Sequence, residues 1–316
     1  MVTVGRDLID DPTRIDMSVD LGFIHLKNPI IPASGTFGYG EEFQTFFNLD
    51  ILGAFVLKGI YRDPRKGNPP PRLHETAAGL LNSIGLAGPG AEELKKIIRR
   101  VAATTSTPII VNVCGGSDDE YLEVAEIFDA MPEVAMLELN ISCPNIHQGG
   151  KCPAQDDRHT YRLIKRIKDH TVKPLMAKLT PNAGNILSVA LAAEEAGADC
   201  LALVNTYLGM AVDLKKRAPV FKNIFAGLSG PAIKPLALKL VWEISRNVRI
   251  PVIGIGGIAS GQDVLEFILV GASAVQTGTI NIVDPRASVR IIAEIESLMT
   301  ELHITNLNEI KGALKI

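Results

Sequence analysis

Cysteine is scarce in this chain: four residues in 316, at positions 114, 143, 152 and 200. They form no C-x-x-C pair and no cluster with ligand spacing, which argues against a zinc site, an iron–sulfur cluster and a disulfide framework. The six histidines stand singly, so no metal-binding pattern replaces the missing cysteines. Aromatic residues are also few, at 5%, and the interior must be built from Val, Ile, Leu and Ala. The formal charge of -3 is spread along the chain, with no basic stripe for nucleic acid and no polybasic anchor for anionic lipid. No run reaches the roughly 18 apolar residues that a membrane span requires. The stretch from Met1 to Asp16 mixes acids and bases without an apolar centre, unlike a signal peptide. These absences predict a cytoplasmic protein.

What is present is alternation. Short β-branched runs alternate with segments of helical period in eight units, and no break in composition marks a linker. The pattern predicts one α/β domain over 1–316, a (β/α)8 TIM barrel. Strands are expected at Pro29 to Ile31, Ala54 to Lys58, Pro108 to Val113, Ala135 to Asn140, Leu175 to Leu179, Cys200 to Asn205, Pro251 to Ile255 and Ala274 to Thr277. Helices are expected at Ala91 to Ala103, Asp118 to Ala130, Asp157 to His170, Gly184 to Ala196, Lys234 to Arg246, Gly261 to Val270 and Pro285 to Leu302. Residues 1–16 form an N-terminal extension, and 17–28 a β-hairpin under the barrel, turning at Asp20-Leu21-Gly22.

Three connections far exceed the usual two to six residues: Ile60 to Pro89, Ser142 to Asp156 and Tyr207 to Ile233. All three follow strands, which places them on the C-terminal face where barrel active sites lie. The expected strand ends are polar or glycine: Ser34, Lys58, Asn112, Asn140, Lys178, Asn205, Gly256-Gly257 and Gly278-Thr279. One such amide merely caps a turn, but agreement at every end describes a pocket. Amides and cations with few acids suit a planar, anionic, amide-like ligand together with a phosphate. The glycine turns at 256–257 and 278–279 offer bare N–H groups for that phosphate, and equally fit tight βα turns. Glu138 shares a face with Asn140, so it points into the barrel and needs a partner, for which Lys178 is the candidate. Cys143 stands just past the fourth strand, between two asparagines, where Pro144 holds it extended and Lys58 or Lys178 would favour the thiolate. Cys114, Cys152 and Cys200 read as structural, and His147 as solvated loop polarity.

Five segments together resemble one family over nearly the whole chain, from about Met17 onward. They are Pro32-Ala33-Ser34-Gly35-Thr36-Phe37-Gly38, Arg65-Lys66-Gly67-Asn68-Pro69-Pro70-Pro71-Arg72, Asn82-Ser83-Ile84-Gly85-Leu86, Asn140-Ile141-Ser142-Cys143-Pro144-Asn145 and Gly254-Ile255-Gly256-Gly257-Ile258-Ala259-Ser260-Gly261. The resemblance is to class 1 dihydroorotate dehydrogenases, FMN-dependent barrels of pyrimidine biosynthesis, and most to the NAD-linked subclass 1B. It implies oxidation of dihydroorotate to orotate, with Cys143 taking the C5 proton while the C6 hydride goes to the flavin. It implies substrate contacts from Lys58, Asn82, Ser83, Ile84, Gly85, Leu86, Asn140, Asn145, Asn205 and Thr206. FMN contacts are implied for Ser34, Lys58, Gly59, Asn112, Asn140, Lys178, Val204, Gly230, Gly256, Gly257, Gly278 and Thr279. In subclass 1B a partner subunit carries FAD and a 2Fe-2S cluster, in a heterotetramer built on a barrel homodimer. Other readings stay open: a fumarate-linked subclass 1A homodimer, a dihydropyrimidine dehydrogenase-like flavin barrel, a flavin-free phosphate-binding lyase or isomerase, and a non-catalytic metabolite-binding barrel.

Overall fold

A computed structural model describes residues 15–142 and 153–316. Eight parallel strands form the central sheet: β1 (Ile30–Pro32), β2 (Phe55–Val56), β3 (Ile109–Val113), β4 (Val134–Asn140), β5 (Leu175–Lys178), β6 (Cys200–Leu203), β7 (Val252–Ile255) and β8 (Ala274–Thr277). From β2 to β8 each strand pairs with the next, and β8 pairs with β1. The edges of β1 and β2 meet where Gly53 N–H donates to Ile30 O at 3.1 Å, so the sheet is a (β/α)8 barrel. All eight expected strands are present, each within a few residues of its expected ends.

The helices are α1 (Ala91–Ala102), α2 (Asp118–Asp129), α3 (Asp157–Lys168), α4 (Ile186–Glu195), α5 (Lys234–Ser245), α6 (Gly261–Leu269), α7 (Ile280–Val283) and α8 (Ala287–Glu301). Their boundaries follow from capping. Ser117, Asp156, Asn185 and Ser260 each accept a backbone N–H in the first turn, which is why α4 starts at Ile186 rather than at Gly184. In α1, Leu94, Ile97, Ile98 and Val101 form the buried stripe that packs on the barrel. The first unit departs from the pattern. Between β1 and β2 the chain makes only a 3-10 turn at Leu49–Ile51, and a cluster of Phe37, Phe43, Phe47 and Phe55 fills the space of a helix.

The expected hairpin is there, with Val19–Asp20 antiparallel to His25–Leu26 ahead of β1. Two of the long connections are not the plain loops that were expected. They pair with each other in a four-stranded antiparallel sheet, in the order Tyr207–Met210, Phe225–Ser229, Gly79–Asn82, Leu73–Thr76. This sheet stands over the C-terminal mouth of the barrel and joins the chain after β2 to the chain after β6.

Closure at β1 and β2 depends on a bare backbone, since a methyl on Gly53 would overlap the Asn28 carbonyl. Gly53→Ala is therefore expected to cost about 1–3 kcal/mol, read as a lower urea midpoint with an unchanged slope.

Candidate active site

Five polar side chains that are buried at the barrel mouth come from four strands: Asn112 of β3, Glu138 and Asn140 of β4, Lys178 of β5 and Gln276 of β8. Register sets Asn112 beside Glu138 and Asn140 beside Lys178. Glu138 has 0% exposure, and its carboxylate is met from two sides. Asn112 Nδ2 donates to Oε1 at 2.5 Å, and Gln276 Nε2 reaches across from the opposite wall to Oε2 at 2.6 Å. Lys178 Nζ lies 3.5 Å from Oε1 and also donates to Ser34 Oγ at 3.1 Å and Gln276 Oε1 at 3.3 Å. The pairing of Glu138 with Lys178 expected from the strand pattern is present, with the shorter contacts made by the two amides.

From Asn112 the hydrogen bonds continue outward. Asn140 Nδ2 donates to Asn112 Oδ1 at 3.2 Å, and Ser142 Oγ to Asn140 Oδ1 at 2.9 Å. Asn205 Nδ2 donates to Ser142 Oγ at 2.5 Å, and Thr206 N–H to Asn205 Oδ1 at 2.8 Å. Tyr121 of α2 fixes the backbone here, its hydroxyl donating to Asn140 O at 2.6 Å. Three of the expected strand-end amides, from strands β3, β4 and the turn after β6, thus form one connected set.

The four-stranded sheet brings a second group to the same mouth. Asn82 Nδ2 donates to Gly227 O at 3.1 Å, and a methyl on Gly227 would collide with Thr206, so Asn82 and Thr206 meet over a glycine. Ser83, Ile84, Gly85 and Leu86 are stapled to the Pro-rich stretch: Ser83 N–H donates to Arg72 O at 2.8 Å and Asn68 N–H to Ile84 O at 3.0 Å. Gly85 at φ +71° packs flush on Asn68. Lys58 sits half-buried at the end of the β2 segment, below the usual lysine value because of burial first and the Arg72 guanidinium second, with Glu42 opposing. Gly59 abuts Asn112, where a Cβ would come within 2.6 Å of Oδ1.

Glycine turns line the far side. Gly257, at φ +74°, packs against the start of α5, where a Cβ would stand 2.8 Å from Lys234 N. Gly230 caps the turn leading into that helix, and Thr279 Oγ1 donates to Ser229 Oγ at 2.7 Å, tying the end of β8 to the covering sheet. Gly256 stands beside Ala237, Val204 follows β6 and donates to Ile255 O at 3.0 Å, and the space in front of Gly278 is open to 4 Å. Among the described residues the N–H groups of Gly257, Gly278 and Thr279 find no acceptor. Bare N–H groups of this kind, with no side chain in the way, form an anion cradle.

Cys143 and Asn145 lie outside the described residues, as do Cys152 and His147. Cys200 is fully buried and its thiol is pushed well above the usual value by burial, then by Asp199 and Glu138, as a structural cysteine should be. Cys114 is buried too, its Sγ 3.5 Å from Asn112 Oδ1. Sequence reasoning missed four residues as site components. Gln276 and Ser142 are links in the network, Ser229 holds Thr279, and Asn182 donates to Thr206 O at 3.0 Å. Gln276 carried a readable signal, because a glutamine two residues before the Gly278 turn points into a barrel lumen. Among the described residues no group of His, Cys, Asp and Glu could hold a metal ion, and no helix is long and apolar enough to cross a membrane.

Fold and site together define a barrel with unused backbone N–H groups, a hydrogen-bonded chain of amides and two lysines at its C-terminal mouth. The chain belongs to the dihydroorotate dehydrogenase family, whose model matches residues 17–299. It is 48% identical to the "Dihydroorotate dehydrogenase B (NAD(+)), catalytic subunit" of Geobacter metallireducens, over 96% of this chain and 99% of that protein. The protein of the same name from Geobacter sulfurreducens is 48% identical over 95% of this chain and 99% of its own length. The one from Citrifermentans bemidjiense is 45% identical over 96% and 99%.

Removing Lys178 would leave the Glu138 carboxylate buried without its cation. Lys178→Met is expected to cost about 3–5 kcal/mol in thermal or denaturant unfolding, far more than the same change at the exposed Lys96.

Proposed function

We propose that this chain is the catalytic subunit of an NAD-linked dihydroorotate dehydrogenase, oxidising dihydroorotate to orotate. The observation that carries the reading is the convergence of Asn112, Asn140, Asn205, Asn82, Lys58 and Lys178 on one face beside an anion cradle. Orotate is a flat ring whose edge alternates donors and acceptors and which bears a carboxylate. Amides at Asn140, Asn145, Asn205 and Asn82 suit the edge, Lys58 suits the carboxylate, and Ser83 to Leu86 with Thr206 close over the ring.

The cofactor is FMN, which when bound supplies the hydride acceptor for C6 of the substrate. The residues present fit it. The unused N–H groups at Gly257, Gly278 and Thr279, with Gly256 and Gly230 beside them, suit its phosphate. Gly59, Ser34, Asn112, Val204 and Lys178 would hold the ring, the ammonium of Lys178 being kept in place by Ser34, Gln276 and Glu138. Cys143 is the base for the C5 proton, as in the soluble class of the family, and works as the thiolate. Electrons leave through a partner subunit carrying FAD and a 2Fe-2S cluster, in a heterotetramer of two barrels and two partners, to NAD.

The test is the purified chain with dihydroorotate, with an artificial acceptor and then with its co-purifying flavoprotein and NAD. Yellow protein that makes orotate is expected, and colourless protein that makes none contradicts the reading. Cys143→Ala should keep FMN and lose turnover by about 10²-fold or more.

The thiol must lose its proton, so kcat/KM rises through about pH 8.5. Lys58 must keep its proton to hold an anion, so affinity is present below its lowered value and lost as pH rises through it, earlier than for a lysine at 10.5. Kd for orotate against pH, with Lys58→Met as the flat control, measures the falling limb.

A further inference from the structure

The hydrogen bonds from Thr206 to Glu138 all run in one direction: Thr206 N–H to Asn205, Asn205 to Ser142, Ser142 to Asn140, Asn140 to Asn112, and Asn112 to Glu138. The two ends have no choice of role. A backbone N–H only donates, and an ionised carboxylate only accepts. Every link between them, three primary amides and one hydroxyl, can face either way by itself. On the other side of Glu138, Gln276 is equally committed, since its Oε1 accepts from the Lys178 ammonium and its Nε2 is left to donate to the carboxylate. The nearby thiols do not compete as acceptors: burial, with Asp199 and Glu138, keeps Cys200 protonated, and Cys114 Sγ donates to Asn112 Oδ1 at 3.5 Å.

From this geometry we infer that Glu138 is a positioning residue that sets the sense of the chain from the buried end, in agreement with the Thr206 N–H at the other, and so decides which atom of Asn140 is the donor and which the acceptor. It touches no ligand itself, being wholly buried beneath the mouth. Its acceptor-only charge turns Asn112, Asn112 turns Asn140, and Asn140 turns the Ser142 hydroxyl, which meets Asn205 already held the same way round by the Thr206 N–H. The atoms left unused on Asn140 and Asn205 then form a fixed pattern, complementary to a planar ring whose edge alternates carbonyl and N–H groups. This selectivity rests on the orotate reading above, while the polarity of the chain does not.

Glu138→Gln tests it, because the amide that replaces the carboxylate is the same size but offers one oxygen and one N–H where Asn112, Lys178 and Gln276 all donate, and of these only Asn112 is free to turn. One donor must turn round. In protein labelled with 15N-asparagine, the side-chain amide signal of Asn140 is expected to shift along with that of Asn112, while Asn205 stays held by the Thr206 N–H. The Kd for orotate should rise about tenfold or more. A purely structural role would lower stability and move only Asn112. Adding Asn112→Asp to Glu138→Gln shifts the acceptor-only group one link along the chain and restores the sense of everything beyond it. The double variant is therefore expected to recover the native Asn140 signal, and it alone decides the matter if the single variant does not fold. An unchanged Asn140 signal in the single variant, or a double variant no better folded and no closer to native at Asn140 than the single one, would overturn the inference. Native protein that binds no orotate would overturn the substrate reading instead, with the amide signals still deciding the role of Glu138.

Discussion

A carboxylate with no exposure sits in the lumen of this barrel, and the upper half of the molecule is arranged around satisfying it. Burying an ionised group without partners costs several kcal/mol or more, so Glu138 is tenable only because donors from β3, β5 and β8 reach it together. Those donors are themselves parts of the candidate site. The lower barrel is filled by aliphatic side chains, and one apolar cluster runs from the strands into the helices. At the mouth that logic gives way to amides and lysines, where a polar ligand belongs.

The covering sheet solves a second problem. Site residues arise after β2, β6 and β8, far apart in sequence, and loops alone would hold them loosely. Pairing Gly79–Asn82 with Phe225–Ser229 fixes Asn82 against Gly227 and Thr206, while Ser229 reaches Thr279 at the cradle. The two sides of the mouth are thereby parts of one hydrogen-bonded frame.

Much of this is legible in the order of residues alone. Short apolar runs rich in β-branched residues mark the strands, and capping residues mark the helices, because both signals are local. The polar strand ends point to the pocket, and simple alternation from Asn140 puts Glu138 inside the barrel and in need of a cation. The covering sheet is not legible, since its central pairing joins Leu81 to Leu228, and nothing in either segment names its partner. Ser142 and Asn182 escape notice because a short polar side chain after a strand reads as turn chemistry until its neighbour from another strand is known. No helix is expected between the first two strands, and none is there, but nothing in the sequence told that packed phenylalanines would take its place.

Glu138 anchors the direction of the hydrogen-bond chain only if it is ionised, and neutron diffraction on deuterium-exchanged crystals observes both the charge state and the direction atom by atom. Deuterium is predicted on Asn112, Asn140 and Asn205 Nδ2 as oriented above, on Ser142 Oγ toward Asn140, and not on Glu138. A deuteron on Glu138, or any one of those amides reversed, would contradict it.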